Sequence, residues 1–283
     1  MHPSPPSHVR PAAVAGAFYP ARTEQLRDTV GKLLAGADPP LVEGALRALI
    51  VPHAGYVYSG PIAASGYAVL ARTSPPPRRI LLLGPSHFAA VRGLALPHAD
   101  GLETPLGVVP VDPLAAKLEE KFSQVVRSEQ AHRREHAFEV QLPFLQTVLR
   151  RGFTVLPLAV GLTTPGQVAE VVAFAWSLPD TLVVVSTDLS HYLPADEARD
   201  VDSRTSSLVL AGDFEALEPD MACGHHPLAG LLLAARRNGF FTALLDLRNS
   251  ADTAGDPGRV VGYGAFAVVE RPAASLRNVA RTG

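Results

Sequence analysis

The segment RILLLGPSHF, residues 79–88, is an apolar run that leads directly into a histidine. Two further segments repeat this arrangement, ALIVPHAGY at 48–56 and TLVVVSTDLSHY at 181–192. The runs are continuously apolar instead of alternating, which is typical of parallel strands covered by helices on both faces. Helical segments of about 12 residues separate them. The sequence therefore predicts an α/β fold, a three-layer sandwich with a mixed, mostly parallel central sheet.

Composition restricts the class of protein. Hydrophobic residues make up 47% and charged residues 18% of the 283 residues, which predicts a folded globular chain. The formal charge of −2 argues against nucleic acid or an anionic membrane as a partner. No apolar run approaches the length of a membrane span, and the proline-rich start does not resemble a signal peptide. The single cysteine, Cys223, excludes an intramolecular disulfide and favours a cytoplasmic location.

We predict one domain over residues 1–283, with a flexible arm at 1–10 and a flexible tail at 272–283. The arm is expected because closely spaced prolines prevent a regular helix. The predicted strands lie at 45–51, 78–84, 93–97, 108–112, 153–161, 181–187, 241–247 and 260–270. The predicted helices lie at 23–36, 59–71, 112–125, 135–150, 165–177, 195–212 and 225–238.

Three histidines follow three of the predicted strands. His53, His87 and His191 each come a few residues after an apolar run, and Asp188 lies at the end of the third run. Since ligands of open α/β sheets bind at the carboxyl ends of the strands, we expect these side chains at one rim. Cys223 precedes a predicted helix and is expected to face the same rim. Imidazole and thiolate suit iron, copper and zinc. Two interpretations of the three histidines therefore remain open: they are hydrogen-bonded loop residues, or they belong to a metal site.

The segment EHAFEVQLPFLQ, residues 135–146, has the pattern of an amphipathic helix. Its glutamates, Glu135 and Glu139, are then either solvated or orient an imidazole, with His136 adjacent. A helix N-terminus after Cys223 would lower the pKa of its thiol, whereas a buried structural thiol is the alternative. Tyr56, close to His53, either packs in the core or lines a pocket. We expect His132 on the surface.

Six ordered motifs resemble the Memo family, whose bacterial and archaeal members are called AmmeMemoRadiSam system protein B. The resemblance extends from about residue 10 to residue 270. The motifs are VAGAFYP (14–20), VPHAGYVYSG (51–60), LLGPSHF (82–88), EHAFEVQLPFL (135–145), VVSTDLSHY (184–192) and CGHHPL (223–228). This resemblance implies a fold like that of the class III extradiol dioxygenases, non-haem iron enzymes with two histidines and one carboxylate at the metal.

The resemblance also implies roles for individual residues. It implies that His53, His87 and Cys223 hold one transition-metal ion, either iron or copper, with zinc as a further candidate. His191 corresponds to an acid–base residue, and Asp188 is expected to orient it. Other residues fall on family motif positions and are expected near the pocket: Glu135, His136 and His226. His225 stands where the resemblance leads us to expect an arginine.

The resemblance implies a metal-dependent redox role, with a radical SAM protein and an AMMECR1-type protein as partners. An unknown small molecule or peptide would occupy the cleft. Two other classes stay open: an extradiol-type dioxygenase that acts on a catechol-like substrate, and a non-catalytic module that binds a peptide or small ligand. A zinc hydrolase is disfavoured because no carboxylate is clearly placed as a base.

Overall fold

The structure, a computed structural model, describes residues 6–150 and 152–271. The predicted tail at 272–283 and the first part of the predicted arm, residues 1–5, lie outside the described residues. Among the helices that are described, none combines the length and the apolar character needed to cross a membrane.

The secondary structure follows the predicted alternation of strands and helices. The strands are β1 (Val9–Arg10), β2 (Ala45–Val51), β3 (Arg79–Pro85), β4 (Leu94–Leu96), β5 (Gly101–Thr104), β6 (Gly107–Pro110), β7 (Val125–Arg127), β8 (Thr154–Val160), β9 (Thr181–Ser186), β10 (His191–Leu193), β11 (Phe241–Asn249) and β12 (Val260–Glu270). The helices are α1 (Thr23–Ala35), α2 (Tyr56–Ala71), α3 (Leu114–Lys121), α4 (Glu129–Arg133), α5 (Leu142–Leu149), α6 (Pro165–Trp176), α7 (Ala195–Ala211) and α8 (His225–Arg237). Short 3₁₀ turns cover Glu139–Gln141 and Ser250–Asp252.

The main sheet is mixed, with a parallel centre. Its strand order is β10-β12-β2-β9-β3-β8-β4-β7, and β11 pairs with β12 outside this path. The central strands β2, β9, β3 and β8 are parallel, whereas β12 is antiparallel to β2 and β4 is antiparallel to β8. The carboxyl ends of β2, β3 and β9 therefore meet at one rim of the sheet.

Helices cover both faces of this sheet. Along β2, Leu49 and Val51 point into a core shared with α1, α2 and α5. Ala48 and Ile50 point into a second core shared with α3, α6, α7 and α8. Because both faces are buried, the central strands are continuously apolar where they cross the two cores, at 48–51, 80–83 and 182–185. The predicted three-layer α/β sandwich is confirmed.

Close packing joins α6 and α8 in the second core. A Cβ atom added to Gly230 of α8 would lie 2.2 Å from the Cβ of Val168 in α6. The absence of a side chain at Gly230 therefore allows the two helices to approach each other.

Residues 9–19 are anchored to the rest of the fold. Strand β1 pairs with β5, which joins β6 in a separate sheet of three strands within the described residues. Arg10 is 5% exposed and forms a 2.8 Å ion pair with fully buried Glu139. The Glu139 carboxylate also accepts hydrogen bonds from the Val14 amide and the Tyr19 hydroxyl. A buried carboxylate with several donors fixes this segment.

The helix predicted over 135–150 is divided, and Glu139 is not solvated. Glu139 begins a 3₁₀ turn. Helix α5 begins only at Leu142, with Pro143 in its first turn. Proline suits this position because the first amides of a helix have no intrahelical acceptor. The surface prediction for His132 is also wrong. Its side chain is 1% exposed, with Nε2 2.7 Å from the Ala95 carbonyl oxygen.

Candidate metal centre

His53 follows β2 through Pro52 and is 2% exposed. Its Nδ1 lies 3.0 Å from the hydroxyl of Ser186, the last residue of β9. That hydroxyl donates its proton to the Ala137 carbonyl at 2.6 Å, so it accepts from His53 Nδ1. The lone pair of His53 therefore lies on Nε2.

His87 follows β3 and is held by the fully buried carboxylate of Glu135. The His87 amide donates to one Glu135 oxygen at 2.7 Å, and His87 Nδ1 lies 2.8 Å from the other. Since an ionised carboxylate only accepts, Nδ1 carries the proton and Nε2 is available as a ligand. Burial opposes ionisation of Glu135, but hydrogen bonds from His87 and the Ala137 amide outweigh it and hold its pKa at about 2.

His136 completes a group of three imidazoles. Its amide donates to Glu135 at 2.9 Å, and its ring stacks on His87 with centroids 4.8 Å apart. Each imidazole of His53, His87 and His136 offers a nitrogen, and these nitrogens lie within 4.8 Å of one another. The arrangement can therefore hold a metal ion. The sequence placed His136 near the pocket but did not single it out as a ligand.

Cys223 lies beside this cluster, at the entrance to α8. Its sulfur is 3.3 Å from His53 Nε2 and accepts a hydrogen bond from the Asp188 amide at 3.3 Å. Burial, and then the charge of Asp188, raise the pKa of the thiol to about 12. The expectation that the helix N-terminus would lower this pKa is not met, because desolvation dominates.

Asp188 and His191 come from the segment after β9. Asp188 is buried, and its Oδ1 accepts the His53 amide at 2.7 Å while its Oδ2 lies 4.0 Å from His53 Nε2. Burial raises the pKa of this carboxyl. His191 Nδ1 lies 2.8 Å from the Leu189 carbonyl oxygen, so Nδ1 donates and Nε2 is left for the cavity. His191 thus donates the hydrogen bond that orients its ring to the Leu189 carbonyl.

These side chains open onto one cavity of about 1030 Å³. Among its lining residues are those predicted from the sequence: His53, His87, His136, Asp188, His191 and Cys223. Its walls include residues that sequence reasoning missed: Phe18, Tyr58, Tyr192 and Arg259. Phe18, Tyr58 and Tyr192 lie inside the quoted motifs, which could have drawn attention to them. Arg259 carried no signal of its own.

The other predicted site residues lie outside the cavity lining. Tyr56 is buried, and its hydroxyl donates to the Val140 carbonyl at 2.6 Å. His225 Nε2 lies 3.2 Å from the Leu217 carbonyl oxygen, and the His226 ring packs 4.9 Å from the His225 ring. Partial burial, and then the neighbouring His225, lower the pKa of His226.

The donors fit a transition-metal ion. Burial, and then the neighbouring His87, lower the pKa of His53 to about 3. Burial, and secondarily the electrostatic effect of the neighbouring His53, lower the pKa of His136 to about 4. Both rings are therefore neutral at pH 7, as ligands must be. Two donors on one tetrahedral ion lie about 3.3–3.7 Å apart, given bonds of about 2.0–2.3 Å. The 3.3 Å between Cys223 sulfur and His53 Nε2 agrees with this spacing.

Comparison with known proteins identifies close relatives. The family model "Memo-like protein" matches residues 10–267. A MEMO1 family protein of Aquifex aeolicus is 36% identical over 265 residues, covering 90% of this chain and 97% of the relative. A MEMO1 family protein of Methanopyrus kandleri is 38% identical over 277 residues, covering 91% of this chain and 98% of the relative. The crystal structure of an uncharacterized protein from Escherichia coli K12 covers 80% of this chain and 100% of its own, with a TM-score of 0.54 and 14% identity. This last likeness concerns the fold alone.

Proposed function

Since this chain belongs to the Memo family, we propose that it binds one redox-active transition-metal ion, iron or copper, and serves a metal-dependent redox role. The observation that carries this proposal is the convergence of three imidazoles, those of His53, His87 and His136, whose nitrogens lie within 4.8 Å of one another. Glu135 and Ser186 hold the Nδ1 atoms of His87 and His53, so that Nε2 of each ring is free for a ligand bond. Fixed outer hydrogen bonds of this kind orient metal ligands.

We propose His53, His87 and Cys223 as the ligands. The thiol supplies the one anionic donor, because metal binding displaces its proton despite its raised pKa. A thiolate beside two imidazoles favours copper and iron over the hard ions magnesium and calcium. His136 is the competing third ligand, since its nitrogen lies in the same cluster.

When bound, such an ion supplies one-electron chemistry. The residues of the chain supply the rest. His191 is the proposed proton donor and acceptor, because its Nε2 is left for the cavity while Nδ1 is engaged by Leu189. Asp188 holds the His53 backbone and the sulfur of Cys223 through its carboxylate and amide. Phe18 and Tyr58 line the cavity and limit the access of water to a bound ligand.

Metal analysis of protein purified without an affinity tag or chelator tests this proposal. Wild type should retain stoichiometric iron or copper, and His53→Gln and Cys223→Ser should lose it. His98→Gln, at an exposed position, is the control and should retain the metal. Full retention by Cys223→Ser with loss in His136→Gln would remove the cysteine from the ligand set. A wild-type protein that binds neither metal, even after anaerobic loading, would refute the proposal.

An extradiol-type dioxygenase is the second candidate. Asp188 Oδ2 lies 4.0 Å from His53 Nε2, so a carboxylate is close enough to complete a site of two histidines and one carboxylate. This candidate predicts oxygen uptake with Fe(II) and a catechol, and loss of uptake in Asp188→Asn. A flat oxygen trace over a panel of catechols would exclude it.

The Memo resemblance also supports a radical SAM protein and an AMMECR1-type protein as proposed partners. Co-purification of these proteins with this chain from one cell tests this proposal. The absence of an interaction with both purified proteins would refute it.

A further inference from the structure

The segment that carries Asp188 and His191 lies between helix α7 and strand β12. On the β12 side, the Leu189 amide donates to the Gly262 carbonyl at 2.8 Å, and the Gly262 amide donates to the Ser190 carbonyl at 2.9 Å. On the α7 side, the Ser190 amide donates to the carboxylate of Asp202 at 3.0 Å. Three hydrogen bonds from two elements therefore fix the residues between Asp188 and His191.

Asp202 reaches this segment because β12 has a glycine opposite it. The Asp202 side chain is 3% exposed, so its carboxylate is directed inward from α7. A Cβ atom added to Gly262 would lie 1.9 Å from Asp202 Oδ2. Any larger residue at 262 would displace the carboxylate from the Ser190 amide. The pair Asp202 and Gly262 is therefore complementary in shape, independently of the hydrogen bonds.

The position of this segment determines the orientation of the His191 ring. The Leu189 carbonyl accepts from His191 Nδ1, and Leu189 is itself held by Gly262. The next residue, Tyr192, has a φ of 63°, a left-handed backbone conformation that is unfavourable for a large side chain. Such a conformation persists only where surrounding contacts enforce it. His191 thus lies between a fixed carbonyl and a strained residue.

We propose that Asp202 is a positioning residue for His191, because its carboxylate fixes the 188–191 segment so that His191 Nε2 faces the cavity. The proposal rests on the proposed proton-transfer role of His191 and adds a residue that lies outside the cavity lining. Asp202 acts through the backbone of Ser190 and has no contact with a reacting atom. Its effect is therefore on the tautomer and orientation of the imidazole.

Nitrogen NMR of histidine-labelled protein provides the test, with the His191 signals assigned from a His191→Gln variant. Wild type should show His191 protonated at Nδ1. Asp202→Ala should shift His191 to a mixture of tautomers and leave the His53 signals unchanged. Asp202→Asn should restore the wild-type pattern, because its carbonyl oxygen still accepts from the Ser190 amide. Asp200→Ala, at an exposed position on the same helix, is the matched control.

A double-mutant cycle tests the same contact without relying on one variant. In the otherwise wild-type protein, Gly262→Ala should lower the melting temperature and disturb the His191 signals, because the new methyl group clashes with the Asp202 carboxylate. Both effects should be much smaller in an Asp202→Ala background, where the space is vacant. Equal effects in the two backgrounds, or unchanged His191 signals in both Asp202→Ala and Gly262→Ala, would overturn the proposal. Metal content measured on the same samples should equal that of wild type. Absence of metal from the wild-type protein would refute the metal-binding proposal, and it would do so independently of the His191 signals in the variants.

Discussion

Replacing Glu135 by glutamine is expected to lower the free energy of unfolding by about 3 kcal/mol at pH 7. The carboxylate is fully buried, and its hydrogen bonds lower its pKa from the ordinary 4.5 to about 2. Each pKa unit corresponds to about 1.4 kcal/mol, so a fall of about 2.5 units gives about 3 kcal/mol. Glutamine offers one acceptor oxygen in place of two, which leaves the His87 amide or the His87 ring without its partner.

The sign of the pH dependence follows from the lowered pKa. In the unfolded chain Glu135 takes up a proton below about pH 4.5, whereas in the folded chain it does so only near pH 2. The unfolded state therefore binds more protons between these values, and the stabilisation is lost as the pH falls from 4.5 to 2. The difference between wild type and Glu135→Gln should be constant above pH 5 and shrink below it.

Urea denaturation of metal-free protein at several pH values measures this difference. A chelator is needed, because a bound metal would add its own binding energy to the folded state. Glu129→Gln changes an exposed glutamate at the start of α4 and should leave stability within about 0.5 kcal/mol of wild type. A loss below about 1 kcal/mol in Glu135→Gln, or a loss that does not depend on pH, would refute the reasoning. With metal present, the variant should also bind it about 10–100-fold more weakly, since His87 loses its charged acceptor.

Further predictions follow from other buried contacts. Glu139→Gln leaves Arg10 buried without its charged partner and should cost about 3–5 kcal/mol in urea denaturation; a cost below 1 kcal/mol would contradict the buried ion pair. Gly230→Ala should destabilise by about 1–3 kcal/mol through the clash between α6 and α8, whereas Gly31→Ala in α1, where the space is open, should stabilise by up to about 1 kcal/mol. Burial lowers the pKa of His132 from 6.5 to about 4, so stability should fall as the pH drops between these values. His132→Gln should reduce that fall by about 1.4 kcal/mol per pH unit, and an unchanged slope would contradict the burial.

The sequence predicted the fold well because continuous apolar runs, separated by helical segments, determine a three-layer α/β fold. The runs at 45–51, 78–84 and 181–187 are continuously apolar over 48–51, 80–83 and 182–185, and these stretches form the parts of the central strands that are buried on both faces. The same runs predicted the rim at which His53, His87 and Asp188 meet. The short strands β1, β5, β7 and β10 were missed because two to four residues carry too little periodic signal.

The connections between site residues were less predictable, because they depend on contacts far apart in sequence. Glu135 and Glu139 follow a helical spacing, yet Glu135 accepts from His87, 48 residues earlier, and Glu139 pairs with Arg10. Local periodicity contains no information on such partners. The raised pKa of Cys223 was missed for the same reason: a helix N-terminus is visible in the sequence, whereas the burial that outweighs it is not.

The anchoring of the N-terminal segment by Glu139 has a consequence for synthesis of the chain. Arg10 precedes Glu139 by 129 residues and Tyr19 precedes it by 120. At about 5–20 residues per second, the segment is synthesised roughly 6–26 s before its acceptor. The wall of the cavity that contains Phe18 therefore closes late. The cluster of His53, His87 and His136 also cannot form earlier, because Glu135 and His136 lie within four residues of Glu139 in the chain. Docking of residues 10–19 and completion of the metal centre thus both require synthesis of residues 135–139.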